Sequence, residues 1–187
     1  MLNYNSPLKK EINYNNISIK EISPVIKINL RGKKREFFTA VGKSLDMILP
    51  IEPNTSSSSS KLTSIWLSPD EWMIISNDKM EKDINQYELQ ENLYNALSKT
   101  NLGAVTNVTD QFVMMEIKGQ NIYELFSSGC PFNFNEFREK KGATVQTLLN
   151  NIDVIIQNKE ENSVNLFVRR SFSEHLFSWM NDSASRL

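Results

Sequence analysis

The sequence has few of the side chains on which catalytic and metal sites usually depend. Among its 187 residues there is one cysteine, Cys130, and one histidine, His175. A single cysteine cannot form an internal disulfide, and one Cys with one His leaves a structural zinc site short of ligands. A Ser-His-Asp or Cys-His system would have to use His175. That residue directly precedes Leu176 on a predicted amphipathic helix, which favours a half-exposed helix position.

An excess of one charge and a long apolar run are also missing. The net charge is −1, which argues against the basic face that a nucleic-acid partner requires. Apolar stretches such as "FVMMEI" and "IDVIIQ" are far too short to span a bilayer. The N-terminus shows neither an apolar signal core nor an Arg-rich amphipathic pattern. We therefore expect a cytoplasmic protein with no nucleic-acid partner and no membrane partner.

Glycine is scarce, with six residues. The "RGKK" stretch at Arg31–Lys34 has neither the Walker spacing nor the dinucleotide-binding spacing, so no glycine-rich phosphate loop is predicted.

Cys130 follows the end of a predicted short helix, where the helix dipole disfavours a thiolate. Because free cysteine is among the most buried residue types, the Gly-Cys-Pro stretch favours a packed corner over a reactive thiol. Gly129 is expected to be a left-handed helix cap. The carboxylates at Asp70, Glu71 and Asp110 belong to predicted turns, so no self-sufficient catalytic set emerges.

What the sequence does contain is a mixed order of strands and helices, which predicts an α+β fold. Strands are predicted at Ser23–Gly32, Trp72–Ile75, Phe112–Ile117, Val145–Leu149, Val154–Gln157 and Val164–Arg169. Helices are predicted at Asp83–Lys99, around Leu125, and after a capping box formed by Ser171 and Glu174. The segment between Phe37 and Leu45 fits either a second strand or a short helix.

The domain organisation is predicted as one domain, residues 1–187, with lobes at approximately 1–104 and 105–187. Residues 52–61 ("EPNTSSSSSK") are expected to form a mobile loop, because a serine run buries no apolar area to offset the cost of ordering. The polar residues at the N-terminus are expected to be mobile as well.

Three residues are candidates for a subunit interface: Arg169, Arg170 and Trp72. If the last strand alternates, one arginine of the pair points inward, and a buried or interfacial Arg needs a carboxylate partner. A structural salt bridge and a contact between subunits both fit this pattern. Tryptophans concentrate at interfaces, which adds Trp72. We predict no catalytic, cofactor-binding or metal-ligating residue.

Several short motifs follow one another over most of the chain. They are "SPL" (Ser6–Leu8), "INLRG" (Ile28–Gly32), "LPIEPNT" (Leu49–Thr55), "WLSPDEWMI" (Trp66–Ile74), "VTDQFVMMEIKG" (Val108–Gly119), "SSGCPFNF" (Ser127–Phe134), "ATVQTLL" (Ala143–Leu149) and "LFVRRSFSEHLFSWM" (Leu166–Met180). In their order and spacing these motifs resemble the gamma subunit family of heterotetrameric sarcosine oxidase.

The resemblance implies a compact two-lobed, mixed sheet-and-helix fold related to a shortened folate-binding aminomethyltransferase. It implies a non-catalytic gamma subunit that contacts mainly alpha, in a complex with alpha, beta and delta subunits. That complex oxidatively demethylates sarcosine to glycine, yielding formaldehyde or methylene-tetrahydrofolate and hydrogen peroxide. FAD, FMN, NAD and tetrahydrofolate are expected on the partner subunits, and no cofactor is expected on this chain.

Two alternatives involve folate. A stand-alone folate-binding protein of the tRNA-modification and iron–sulfur maintenance type has a related fold and a Lys-Gly-Cys-Tyr marker. Here Ala143 follows Lys141-Gly142 in place of that cysteine, which counts against this alternative. A small folate-binding module without catalysis would need an aromatic pocket with a carboxylate, for which Asp110 near Phe112 is the only hint.

Overall fold

The computed structural model describes residues 5–8, 11–22, 24–77 and 87–187. The described strands are β1 Ile12–Tyr14, β2 Ile17–Glu21, β3 Lys27–Arg31, β4 Ser56–Ser58, β5 Leu62–Ser68, β6 Glu71–Ser76, β7 Ala104–Asn107, β8 Phe112–Lys118, β9 Thr144–Leu149, β10 Ile152–Glu160 and β11 Ser163–Arg169. The helices are α1 Arg35–Leu45, α2 Glu88–Leu93, α3 Ile122–Ser127 and α4 Ser173–Ala184, with a π-helical turn at Tyr94–Ser98 and a 3₁₀ turn at Arg170–Phe172. Within the described ranges, no helix is both long and apolar enough to cross a membrane.

The chain divides into two compact units, and one of them is discontinuous. The inserted unit is Val25–Thr109, and the discontinuous unit combines Met1–Pro24 with Asp110–Leu187. This division differs from the predicted lobes at 1–104 and 105–187. The N-terminal residues belong with the C-terminal half because β2 pairs with β8, placing Ile19 opposite Ile117.

The discontinuous unit is built on a six-stranded antiparallel sheet with the order β1-β2-β8-β11-β10-β9. Successive strand residues point to opposite faces, and one face supplies the core. Val113, Met115 and Ile117 of β8 lie in the same apolar cluster as Leu125 of α3 and Leu176 of α4. The sheet is therefore held together by the packing of α3 and α4 on this face.

The inserted unit has a five-stranded antiparallel sheet with the order β4-β5-β6-β3-β7. Helix α1 buries Phe37, Val41 and Leu45, which recur every fourth residue and so share one helix face. They join a core cluster that contains Trp72 of β6. The sequence fitted either a strand or a helix here, and the structure contains a helix that ends at Leu45. The next residue, Asp46, has a left-handed backbone with a φ of 48°.

Several predicted features differ in the structure. The predicted loop 52–61 contains β4, where Ser56 lies opposite Ile65 of β5. Pairing of backbone groups orders this serine run without apolar burial. Likewise β1 and β2 form in the polar N-terminal region, where the sequence suggested mobility.

Two helix ends also differ from the predictions, and one lies partly outside the described residues. The residue before α4 is Phe172, with no side-chain cap, and the Ser173 hydroxyl donates to the Arg170 carbonyl (2.8 Å), so the predicted Ser171 cap is wrong. Gly129 is not among the described residues with positive φ, so the predicted left-handed cap is wrong as well. Of the predicted helix Asp83–Lys99, residues 83–86 lie outside the described residues, as does Ser23 of the first predicted strand.

Candidate subunit interface

The paired arginines lie at the point where a strand becomes a helix. β11 ends at Arg169, and Arg170 begins the 3₁₀ turn that leads into α4. Strand alternation therefore stops between them, so the condition under which one of the two side chains was expected to point inward is not met. Arg169 is exposed and Arg170 is half-buried.

Arg170 contributes to the structure of this corner. Its backbone N–H donates to the carbonyl of Gln111 (2.8 Å). Its guanidinium donates to the carbonyl of Asn5, and its own carbonyl accepts from the Ser173 hydroxyl. The residue thus ties the N-terminal segment to the start of α4.

Arg169 is placed differently. Its Cζ lies 5.8 Å from the centroid of the Phe112 ring, and the two residues are opposite each other in the β8–β11 pairing. This is cation–π distance, so the ring supports one face of the guanidinium. Among the described residues, no carboxylate lies close enough to form a salt bridge with Arg169.

The two arginines open into a cleft of about 540 Å³ within the discontinuous unit. Its lining consists of Pro7, Gln111, Arg169, Arg170, Ser171 and Glu174. Two guanidinium groups and one carboxylate make this lining net positive, and the Gln111 amide and Ser171 hydroxyl add neutral hydrogen-bonding groups. The sequence predicted the arginine pair as an interface candidate, but Gln111 and Glu174 are brought to it only by the fold.

Trp72, the third candidate, is a core residue. It is 1% exposed, and its ring centroid lies 5.7 Å from that of Phe37 and 5.4 Å from that of Phe38. Its Nε1–H donates to the Pro50 carbonyl at 2.7 Å. A buried indole needs such a partner for its N–H, and here the partner lies within the chain. The structure thus contradicts the interface assignment of Trp72.

The sequence analysis did not identify two exposed apolar side chains close to Pro50, the residue that Trp72 binds. Ile48 and Ile51 flank the carbonyl that Trp72 binds, and they are 85% and 75% exposed. Leu49 between them is 4% exposed and belongs to the core. A short apolar run such as "MILPI" is typical of a buried segment, and only the structure separates its inward from its outward side chains.

Glu116 of β8 is a buried carboxylate surrounded by cations. Its oxygens lie 2.9 Å from the Lys118 Nζ, 3.5 Å from the Lys159 Nζ and 3.6 Å from the Lys20 Nζ. Burial raises the pKa of this carboxyl, but the hydrogen bond from Lys118 and the charges of Lys118, Lys159 and Lys20 outweigh burial and hold the pKa below its usual value. Lys118 lies two residues from Glu116 on the same strand, whereas Lys20 and Lys159 come from β2 and β10, so their approach could not be predicted from the sequence.

The residues that might have carried chemistry are placed as structural groups. Cys130 is half-buried, with its Sγ 3.5 Å from the Thr147 hydroxyl oxygen. A Cβ on the preceding residue, Gly129, would lie 2.6 Å from the Trp179 ring, which supports the interpretation of a packed corner. His175 is exposed on α4. Among the described residues, no three His, Cys, Asp or Glu side chains are grouped so that they could hold a metal ion.

The cleft does not fit the folate alternative. A folate site of the kind considered above needs an aromatic wall, but the lining includes no aromatic side chain. The Phe112 ring that the sequence suggested lies beneath the Arg169 guanidinium instead.

The fold is similar to that of part of an aminomethyltransferase. It superposes on the glycine cleavage system aminomethyltransferase T from Bartonella henselae with a TM-score of 0.61 and 14% identity, covering 88% of this chain and 45% of that one. A model of the sarcosine oxidase gamma subunit family matches residues 32–186. The chain belongs to the sarcosine oxidase gamma subunit family.

Two relatives agree with this assignment. The sarcosine oxidase subunit gamma of Corynebacterium sp. (strain P-1) is 24% identical over 171 residues, which are 90% of this chain and 80% of the relative. A chain of the heterotetrameric sarcosine oxidase from Corynebacterium sp. U-96, solved in complex with pyrrole 2-carboxylate, superposes with a TM-score of 0.82 and 21% identity, covering 94% of this chain and 88% of that one. The expected relation to a shortened aminomethyltransferase fold is confirmed, and the stand-alone folate-binding alternative is not favoured.

Proposed function

We propose that this chain is the non-catalytic gamma subunit of a heterotetrameric sarcosine oxidase and that it supports assembly of the complex. The observation that carries the proposal is the family match across residues 32–186. The superposition on a chain of a heterotetrameric enzyme supports it. The partners are the alpha, beta and delta subunits, and the main contact is with alpha. A cytoplasmic location remains a prediction.

The complex oxidises the N-methyl group of sarcosine. Glycine is released, the one-carbon unit leaves as formaldehyde or as methylene-tetrahydrofolate, and the electrons reduce oxygen to hydrogen peroxide. FAD, FMN, NAD and tetrahydrofolate bind to the partner subunits. The role of this chain is structural, and its contacts involve Arg169 and Arg170 at the cleft.

The exposed apolar side chains on the inserted unit support a role in assembly. Ile48 and Ile51 are held outward by a loop whose middle is fixed by the bond from Trp72 to Pro50. Contiguous exposed apolar patches mark surfaces that another protein covers, and we propose that these two side chains belong to such a surface.

The proposal is tested by co-purification. A tagged form of this chain is expressed with its genomic neighbours, and the eluate is analysed for bound proteins, flavin absorbance and sarcosine-dependent peroxide release. We expect two large flavin-bearing subunits and one small subunit to be recovered with the tagged chain. Recovery of a colourless chain alone would contradict the proposal.

A further inference from the structure

We infer that the Arg169 cleft binds a carboxylate on an acidic segment of a partner subunit, and this inference rests on the proposed function. The cleft is lined by Pro7, Gln111, Arg169, Arg170, Ser171 and Glu174. Arg169 is the residue that recognises the partner, and Arg170 maintains the wall of the cleft by its bond to Asn5.

The first argument is the state of the Arg169 guanidinium. It is exposed, it lies over the Phe112 ring, and no salt bridge to it occurs among the described residues. The ring restricts the guanidinium plane, so less side-chain entropy is lost when a ligand binds. A planar fork of N–H donors held in this way matches a carboxylate, which accepts two parallel hydrogen bonds.

The second argument is the charge of the lining, which selects among anions. Glu174 also lines the cleft, and among the described residues it makes no salt bridge. Together with the two guanidinium groups it leaves the lining with one net positive charge, which a singly charged carboxylate neutralises and a phosphate dianion exceeds. The cleft therefore matches the charge of an aspartate or glutamate side chain, or of a chain terminus.

The third argument is the shape of the site. Small-molecule sites enclose most of the surface of their ligand, whereas this cleft is open and lies where the N-terminal segment passes the start of α4. The Gln111 amide and the Ser171 hydroxyl provide hydrogen bonds suited to a peptide backbone. An extended segment of a protein fits these features better than a free metabolite.

The test uses the co-expressed complex and three variants of this chain. R169E reverses the charge at the cleft. R169K keeps the positive charge but removes the planar pair of N–H donors that the guanidinium offers. R138E is the control, because it reverses the charge of an exposed arginine outside the cleft. We expect R169E to weaken association by about 10- to 100-fold, R169K to weaken it less, and R138E to leave it unchanged. The far-ultraviolet circular dichroism of each isolated chain reports whether its fold is retained.

A photo-cross-linking residue in place of Gln111 then identifies the occupant of the cleft. Mass spectrometry is expected to find a partner peptide that contains Asp or Glu or ends in a free carboxylate. An intact complex that cross-links to a segment without a carboxylate, or that tolerates R169E as well as R138E, would overturn the inference and leave the proposed function standing. Failure of the wild-type chain to recover partner subunits would instead overturn the proposed function, and the inference with it.

Discussion

Gly129 lies so close to Trp179 that a Cβ atom at this position would be 2.6 Å from the indole Cζ2. The glycine is thus required by the approach of a ring from α4, not by a left-handed backbone. This contact shows that the Gly-Cys-Pro corner is a packed one. The backbone at Gly129 lies against the indole, and the Cys130 thiol contacts the Thr147 hydroxyl.

We expect G129A to lower the free energy of unfolding by about 1 to 3 kcal/mol, because the ring or the backbone must shift to admit a methyl group. The matched control is G42A in α1, where a Cβ would lie 3.7 Å from the Met47 carbonyl oxygen. G42A is expected to raise the free energy of unfolding by about 0.4 to 1 kcal/mol. Denaturant unfolding of the two variants gives the comparison, and equal stabilities would contradict the packing argument.

We expect W72F to destabilise the chain by about 1 to 3 kcal/mol, because the Pro50 carbonyl loses its donor inside the protein. The loop should also loosen, so amide exchange at Leu49 and Ile51 should accelerate. W66F is the control. Because Trp66 is only partly buried, we expect W66F to lower the free energy of unfolding by less than W72F does. An exchange rate at Ile51 that does not respond to W72F would show that the indole does not hold this loop.

We expect E116Q to destabilise the chain by about 1 to 3 kcal/mol at pH 7, because the carboxylate is buried and accepts a hydrogen bond from Lys118. The pKa of the folded carboxyl lies below its ordinary value of 4.5. Its contribution is therefore complete above pH 4.5 and shrinks as the pH falls through the folded-state pKa.

The gap in stability between wild type and E116Q should close in acid. E136Q is the control, since Glu136 is 88% exposed in its pair with Lys140 and should change stability by less than about 0.5 kcal/mol. Urea titrations from pH 3 to 7 measure both effects. A gap that persists at the lowest pH would mean that ionisation of Glu116 does not cause it.

We expect Y123F to leave the stability at neutral pH unchanged or to raise it slightly. The Tyr123 hydroxyl is buried and lacks a hydrogen-bond partner among the described residues, so removing it deletes no bond. Burial raises the pKa of this phenol to about 12, although the charge of Arg138 opposes the shift. The folded state therefore loses stability as the pH rises above the ordinary value of 10, up to about 12.

Y123F should remove that alkaline loss, which is measured by unfolding between pH 9 and 12. Y14F is the control because Tyr14 is 42% exposed and bonds to Asn181. An alkaline loss that is unchanged in Y123F would assign it to another group.

The local patterns predicted well where apolar residues run along a strand. The runs in "VNLFVR" and "FVMMEI" predicted β11 and β8, which the structure contains. The features that failed depend on distant residues. The position of Arg169 over Phe112 follows from the β8–β11 register, and the burial of Trp72 depends on α1 and on the Pro50 carbonyl. Sequence spacing carries no signal for such pairings.

The interface candidates show the same limit. Both arginines of the cleft were predicted, because a charged pair at the end of an apolar strand is conspicuous. Their different roles were not predicted, because Arg170 contacts Asn5 and Arg169 contacts Phe112, and both partners are distant in sequence. The family resemblance identified the fold and the class of protein, which the bare residue patterns left open.

The insertion of Val25–Thr109 between β2 and β8 has a consequence for synthesis on the ribosome. When β2 leaves the exit tunnel, the strand it will pair with has not yet been translated. At about 5 to 20 residues per second, the wait lasts several seconds, and during it β2 has only β1 as a partner in the sheet. The inserted unit contains all the strands of its own sheet, so it can finish folding first and bring the two flanking ends of the chain closer together for the later pairing.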